Sequence, residues 1–240
     1  MIYTESPYWI EEAYSDSITC VDTGIMSRNI SYMLITNTIV DKFFDKNAKF
    51  LDYGGGYGIF TRMMRDLGYD WVWYDKFSPN LLAGGFEYRN NLSETIELAT
   101  AFEVFEHLND PMMDIKYLTS ICDSILFSTL IYDDDLCYKD FAEWWYYVPE
   151  TGQHITFYSK KTLEYIAKQF DLKYYKINEG LHMFTKKDLR YTELNRLVNS
   201  KWAWARQIVK YRINGRRSLV SKDNEKMLKV YKVGKEKIYS

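Results

Sequence analysis

The chain has 240 residues, 47% of them apolar, and a formal charge of −2. That composition suits one folded domain with appendages and excludes a chain that is disordered throughout. Its apolar runs fall far short of the ~20 residues a membrane-crossing helix needs, and acids stand at the start where a secretory signal carries cations, so a cytoplasmic protein is expected.

Ser6-Pro7 sets an N-cap and a proline at the first helical position, predicting a short helix over residues 8–17. Asp22-Thr-Gly24 interrupts it, and Ile30, Met33, Leu34 and Asn37 then share one face of a second helix. Both precede the first strand, so residues 1–46 read as an N-terminal helical cap. The strand is Lys49-Phe-Leu-Asp-Tyr53, with Gly54-Gly-Gly-Tyr-Gly58 directly after it. Ile59, Phe60, Met63, Met64 and Leu67 recur at helical spacing until Gly68. Trp71-Val-Trp-Tyr74 is a second strand ending at Asp75, and residues 97–102 are a third ending at Glu103. Asp110-Pro111 opens a helix with Ile115, Leu118 and Cys122 inward, and residues 124–129 form the next strand. Strands alternating with helices of this length imply parallel β-α-β units with helices on both faces of one sheet.

Residues 131–158 are acidic and then aromatic, with Trp144, Trp145, Tyr146 and Tyr147 in a row. A helix from Ser159 turns Leu163, Ile166, Ala167 and Phe170 inward. Two strands, near 172–178 and 181–186, are expected to pair as an antiparallel edge. Leu194, Leu197, Val198, Trp202, Ala205 and Ile208 then keep helical spacing, a pattern that dissolves after Gly215. The core domain is thus read as 47–187, and 188–240 as a basic C-terminal helix and tail. Residues 201–240 hold 12 Lys/Arg against three acids, so the tail carries +9 and the first 200 residues −11. Such asymmetry favours contact with something anionic: a membrane surface, a phosphorylated substrate, nucleic acid or an acidic patch.

Asp52-Tyr-Gly54-Gly-Gly56-Tyr-Gly58, between a strand and a helix, carries the chemistry. Glycines let the backbone turn sharply and admit a ligand to the main chain, and the helix it opens presents unpaired N–H groups to polar ligand atoms. A dinucleotide fingerprint, G-x-G-x-x-G, started at Gly54 would put its third glycine at Ile59. Here an acid is followed by glycines at alternating positions.

This loop resembles motif I of class I methyltransferases. The resemblance runs from about residue 48 to 186 and includes Asp75 at the end of the second strand. It also includes Ala101-Phe-Glu103-Val-Phe-Glu106-His107, similar to the fourth-strand segment of the ubiquinone-biosynthesis-like branch. It implies an α/β, Rossmann-like class I methyltransferase sheet, mostly parallel with an antiparallel C-terminal edge and helices on both faces. It further implies that the cofactor is S-adenosylmethionine, with S-adenosylhomocysteine as product. Asp52, Gly54, Gly56, Tyr57 and Gly58 would wrap its methionyl part, and Asp75 would accept from both ribose hydroxyls. Glu103 is placed on the cofactor side, and Arg28 would grip the cofactor carboxylate or an acidic substrate through paired hydrogen bonds. Only 28 residues separate Asp75 from Glu103, short for this family, so the third strand is expected to be vestigial and the adenine-contacting residue is not carried over.

Methyl transfer from a sulfonium needs alignment and exclusion of water, which supply ~7–11 kcal/mol; an alcohol acceptor needs a base as well. Of the three histidines, His154 in Gly152-Gln-His-Ile-Thr-Phe-Tyr158 is the first candidate base. His107, at the carboxyl end of the sheet, is the second, and Glu106 would orient either. His182 reads as structural. No metal site is expected: Cys20, Cys122 and Cys137 are widely spaced with no Cys-x-x-Cys, and Asp133-Asp134-Asp135 reads as a solvated loop. The aromatic run, the Gly-Gln-His segment and the loop together resemble bacterial methyltransferases of surface-polysaccharide synthesis. That implies O-methylation of a sugar in a capsule or lipopolysaccharide, or in a nucleotide- or lipid-linked precursor, with peripheral membrane contact through the basic tail. Methylation of a quinone or another small aromatic is the alternative within enzymes, and a noncatalytic cofactor-fold module the alternative outside them. Nucleic acid is disfavoured, because no Asn/Asp-Pro-Pro-Tyr-type string occurs.

Overall fold

The computed structural model describes residues 1–3, 22–89, 95–133, 143–147, 153–213 and 216–238. The helix expected over 8–17, and Cys20, Cys137, Asp134, Asp135 and Gly152, lie outside the described residues.

The elements run β1 (Ile2–Tyr3), α1 (Ile25–Phe43), β2 (Lys49–Tyr53), α2 (Ile59–Asp66), β3 (Asp70–Tyr74) and β4 (Ile96–Ala101). A 3-10 turn (Phe105–His107), α3 (Pro111–Ile121), β5 (Ser124–Ser128), β6 (Ile131–Tyr132), β7 (Thr156–Ser159) and α4 (Lys160–Gln169) follow. The chain continues through β8 (Lys173–Lys176), β9 (Leu181–Thr185), α5 (Tyr191–Asn199), α6 (Ala203–Arg212) and α7 (Val220–Ile238). Six strands form one sheet in the order β3-β2-β4-β5-β9-β8. β3, β2, β4 and β5 pair in parallel, and β9 runs antiparallel between β5 and β8. This is the Rossmann-like sheet and antiparallel edge expected from the alternation of patterns. A small second sheet, β1-β7-β6, lies apart from it.

Successive strand residues point to opposite faces, and here both faces are buried. Leu51, Val72, Ala99, Ile125 and Phe127 pack on one side with Ile115, Leu118, Leu163 and Ile166 of α3 and α4. Phe50, Trp71, Leu98, Leu126 and Met183 pack on the other with Ile39, Val40, Phe60, Met64 and Leu194 of α1, α2 and α5. Residues buried on both faces explain why the strands read as near-continuous apolar runs. The N-terminal helix α1 is therefore one of the layers of the core. Asp110 caps α3 by accepting from the Met113 N–H, and Ser159 caps α4 through Thr162, as the Asp-Pro and Ser signals predicted.

Between β3 and β4 the described residues contain no strand, only a bridge from Trp73 to Glu87, in line with the vestigial strand expected from the short spacing, and β3 lies at the sheet edge. One difference from expectation concerns the C-terminal flank. The tail does not dissolve after Gly215: α7 folds back on the domain. Asp223 meets Arg65 and Arg62, Arg216 donates to the Gly68 carbonyl at 2.8 Å, and Lys226 donates to the Gly85 carbonyl at 2.7 Å. These contacts are polar and distant in sequence, so no periodicity of α7 itself announces them. Among the described residues no helix is long and apolar enough to cross a membrane.

Candidate active site at the carboxyl edge of the sheet

A cleft of about 590 Å³ opens where β2, β3 and β4 end, lined by the segments that follow them and by α1 residues including Arg28 and Tyr32. Ligands of open α/β sheets bind at this edge. Asp52, Gly54, Gly56, Tyr57, Asp75, Glu103, Arg28 and His107 all line it, whereas Glu106 and His154 do not.

The glycine loop is shaped by its own backbone. Gly54 and Gly56 have φ of 69° and 54°, values that side chains disfavour, and a Cβ on Gly54 would stand 2.4 Å from a Val104 methyl. The Gly54 and Gly55 N–H groups donate to the Tyr74 carbonyl at 2.8 and 3.1 Å, and the Trp73 indole donates to the Gly56 carbonyl at 2.9 Å. The loop is thus tied to the end of β3, with Gly58 closing it as the residue before α2. Asp52 is 3% exposed and accepts from Thr61 and Thr100. Burial pushes its carboxyl up to about 6, those two hydroxyls pull it back, and Asp75 adds repulsion. It therefore joins the start of α2 to β4 beneath the loop.

Asp75 is held by three backbone donors: Gly56 N–H on one oxygen at 2.9 Å, and Phe77 and Ser78 N–H on the other at 2.8 and 2.7 Å. These fix the carboxylate at the cleft wall, and the oxygen bound by Gly56 retains a lone pair for a further donor. Glu103 adopts φ 54°, a left-handed conformation that costs a non-glycine residue ~1–3 kcal/mol and concentrates at functional sites. Its carboxylate accepts from Tyr32 at 2.6 Å and Ser128 at 2.7 Å. Arg28 donates to both oxygens of Asp22 at 2.7 Å and stands 3.4 Å from Glu103. The paired hydrogen bonds expected of Arg28 are therefore made within the protein, to Asp22.

The histidines meet behind this wall. His107 and His154 have ring centroids 4.9 Å apart. Nδ1 of His107 lies 2.9 Å from the Gln153 carbonyl, and Nδ1 of His154 lies 2.6 Å from the Tyr146 carbonyl. Burial lowers both, His107 to about 3 with His154 adding to the effect. Glu106 is fully buried, with the Tyr146 and Thr129 hydroxyls near its oxygens but closing a well-formed hydrogen bond to neither. Burial pushes it up to about 8, the Glu103 charge adds to this, and the Tyr146 and Thr129 hydroxyls pull it back. One ligand atom each from Glu106, His107 and His154 lies within 4.8 Å of the others. The sequence pointed to no metal ligands; the fold assembles this group from two distant segments. His182 is structural, as expected: fully buried, it contacts the Thr129 carbonyl and the Tyr174 hydroxyl.

Sequence reasoning missed Tyr32, Trp73 and Ser128. Tyr32 and Trp73 read as ordinary apolar members of a helix and a strand, and their polar tips find partners only through the tertiary fold.

A family model for a methyltransferase domain matches residues 25–177. The chain belongs to that family and is an S-adenosylmethionine-dependent methyltransferase with the class I fold. Comparison with curated proteins finds no match. Among solved structures it is similar to magnesium protoporphyrin IX methyltransferase from Synechocystis PCC 6803 with bound SAH, at 13% identity and TM-score 0.48, covering 73% of this chain and 90% of that one. It is also similar to a possible histamine N-methyltransferase from Thermotoga maritima, at 11% identity and TM-score 0.47, covering 68% and 92%.

The residues present fit the cofactor. A side chain at Gly54 would strike Val104, so the bare main chain borders the cleft, and Asp75 offers a diol an acceptor already held by backbone donors. S-adenosylmethionine, when bound, supplies a methyl carbon activated on a sulfonium.

Proposed function

We propose that this methyltransferase acts on a hydroxyl of a saccharide, in a bacterial surface polysaccharide such as a capsule or lipopolysaccharide or in its nucleotide- or lipid-linked precursor. In this reading Gly54, Gly56, Tyr57 and Gly58 border the methionyl part of the cofactor, and Asp75 takes the ribose hydroxyls. Asp52 and Glu103 support the cofactor walls, and Arg28 sets the position of Glu103. Residues 47–187 form the cofactor domain, and 1–46 and 188–240 its flanks. His107, at the cleft, and His154, packed on it, handle the acceptor proton, with Glu106 beside them.

The observation that carries the saccharide reading is the aromatic cluster next to the histidines. Trp144, Tyr146, Tyr147 and Phe157 pack together, and the Tyr146 ring lies 4.6 Å from His154. Trp145, beside them, is 74% exposed, and an exposed indole suits the apolar face of a sugar ring. Peripheral membrane contact is part of the proposal. Residues 201–213 carry four Lys/Arg and no acid, with Trp202, Trp204 and Ile213 exposed, a combination suited to an anionic bilayer surface. Co-sedimentation with anionic but not neutral vesicles is expected; sedimentation with neither removes this part.

The test of the function is a radiolabelled methyl-transfer screen over nucleotide sugars, oligosaccharides and quinols. Label in a saccharide supports the reading. Label only in quinols replaces it with the small-aromatic alternative, and failure to bind S-adenosylhomocysteine in titration calorimetry would leave a noncatalytic module.

A further inference from the structure

We propose that Asp114, set in place by Tyr53, accepts a hydrogen bond from the 6-amino group of the cofactor's adenine. The inference deepens the cofactor placement proposed above and rests on Asp75 taking the ribose, not on the identity of the methyl acceptor.

Connectivity gives the region. Adenine is bonded to the opposite end of the ribose from the methionyl chain. With the methionyl part at the glycine loop and the ribose at Asp75, the base falls in the part of the cleft beyond Asp75. Its walls there are Tyr74, Lys76 and Phe77 after β3, and Leu108, Met113 and Asp114 around the start of α3. The third strand, whose shortness left the adenine contact unassigned in the sequence, is absent among the described residues, and the first turn of α3 borders this part of the cleft instead. Phe77 and Met113 are 47% and 64% exposed, apolar side chains at the mouth that a flat base would cover.

The acceptor is held by a built arrangement. The register of β2 and β3 sets Tyr53 beside Tyr74, and their rings stack at 5.3 Å. Tyr117 of α3 packs on the Tyr53 ring at 6.2 Å. Tyr53 is buried, and its hydroxyl donates to Oδ1 of Asp114. Burial first, and then the bond to Asp114, push that hydroxyl far above its ordinary value, so the proton stays on the tyrosine. Burial also raises the Asp114 carboxyl, while the Tyr53 hydroxyl and the Lys76 cation pull it back. Oδ2 of Asp114 makes no hydrogen bond among the described residues, and a half-buried acceptor of this kind gains when a donor reaches it. Asp110, the other acid on this wall, already caps α3 by accepting from the Met113 N–H. A carboxylate only accepts, which matches an amino group and gives a ligand without one nothing to bind.

The test is titration calorimetry of the full chain with S-adenosylhomocysteine and with its analogue carrying hydrogen in place of the 6-amino group. Wild type is expected to bind S-adenosylhomocysteine roughly tenfold or more tightly than the analogue, the worth of a hydrogen bond to a charged acceptor. Asp114→Ala should bind the two ligands alike, near the wild-type affinity for the analogue. Tyr53→Phe, the second variant should the first fail to fold, leaves the carboxylate present but unheld, and the ratio should fall without vanishing. A merely structural loss would weaken both ligands and keep the ratio. Equal affinities in wild type, or a ratio unchanged in both variants, would overturn the proposal. Asp75→Asn separates it from the reading beneath it, since it should weaken both ligands alike. Unchanged affinity there beside a ratio that depends on Asp114 would refute the ribose placement and leave the adenine contact standing.

Discussion

Asp223→Ala tests whether the C-terminal helix is a working part of the cofactor domain. Asp223 and Arg65 are each 5% exposed, and the Arg65 guanidinium donates to both Asp223 oxygens at 2.7 and 2.9 Å. Burial alone would raise the Asp223 carboxyl, but the hydrogen bonds from Arg65 and Arg62 outweigh it and hold the group below its ordinary value. Removing one partner of a buried pair costs ~3–5 kcal/mol, because the other charge is left uncompensated. Arg65 keeps Asp70 at 2.7 Å and the Trp71 carbonyl at 2.8 Å, so the lower end, ~3 kcal/mol, is expected. For a chain of this size that corresponds to a Tm drop of ~6–12 °C.

The effect should also reach the cofactor. Met227 and Lys226 of α7 bear on Gly85, and the Arg65 and Lys226 cations stand 3.8 and 4.3 Å from the Phe86 ring. The Phe86 carbonyl accepts from Trp73 N–H at 2.8 Å, and the Trp73 indole holds Gly56. Urea denaturation and calorimetry with S-adenosylhomocysteine should therefore show lost stability together with weaker binding. Arg65→Met with Asp223→Leu should restore part of the stability, since Asp70 and Arg62 lose a partner but are half-exposed or near the surface, and only the Trp71 carbonyl is left without its buried donor. A loss under ~0.5 kcal/mol for Asp223→Ala, the size of an ordinary surface substitution, would refute the docking of the tail.

Gly54→Ala should weaken S-adenosylhomocysteine binding and destabilise the fold by at least the ~1–2 kcal/mol of a left-handed alanine, the clash with Val104 adding to it. Adding Val104→Ala should recover the steric part only, and full recovery in calorimetry would show that φ is unimportant. Asp75→Asn should raise the dissociation constant ~10–150-fold, the worth of ~1.5–3 kcal/mol for hydrogen bonds to a charged group; unchanged affinity would remove Asp75 from the ribose. Asp52 predicts a pH effect. Burial raises its folded pKa from 3.8 to about 6, so the folded state binds the extra proton. Its contribution is fully present below the unfolded value and is lost as pH rises through about 6, amounting to roughly 3 kcal/mol at ~1.4 per unit. Stability of the wild type measured against Asp52→Asn should fall by that order between about pH 4 and 7, and a parallel pair of curves would contradict the buried placement.

The sequence by itself determined the local order. Strands read at 49–53, 71–74, 97–102 and 124–129, each within a residue of those the structure forms, were legible because residues buried on both faces leave continuous apolar runs. The helix starts at Asp110 and Ser159 were legible because caps act on their own neighbours. The glycine loop was legible because left-handed backbone at Gly54 and Gly56 excludes side chains whatever surrounds it. The tertiary structure alone decided what met across the chain. It brought His154 beside His107, buried Glu106, turned Arg28 onto Asp22 and Glu103, and folded α7 back onto Arg65. Those contacts depend on direction and distance between segments up to about 160 residues apart, and polar side chains of this kind carry no periodicity from which the pairing can be read.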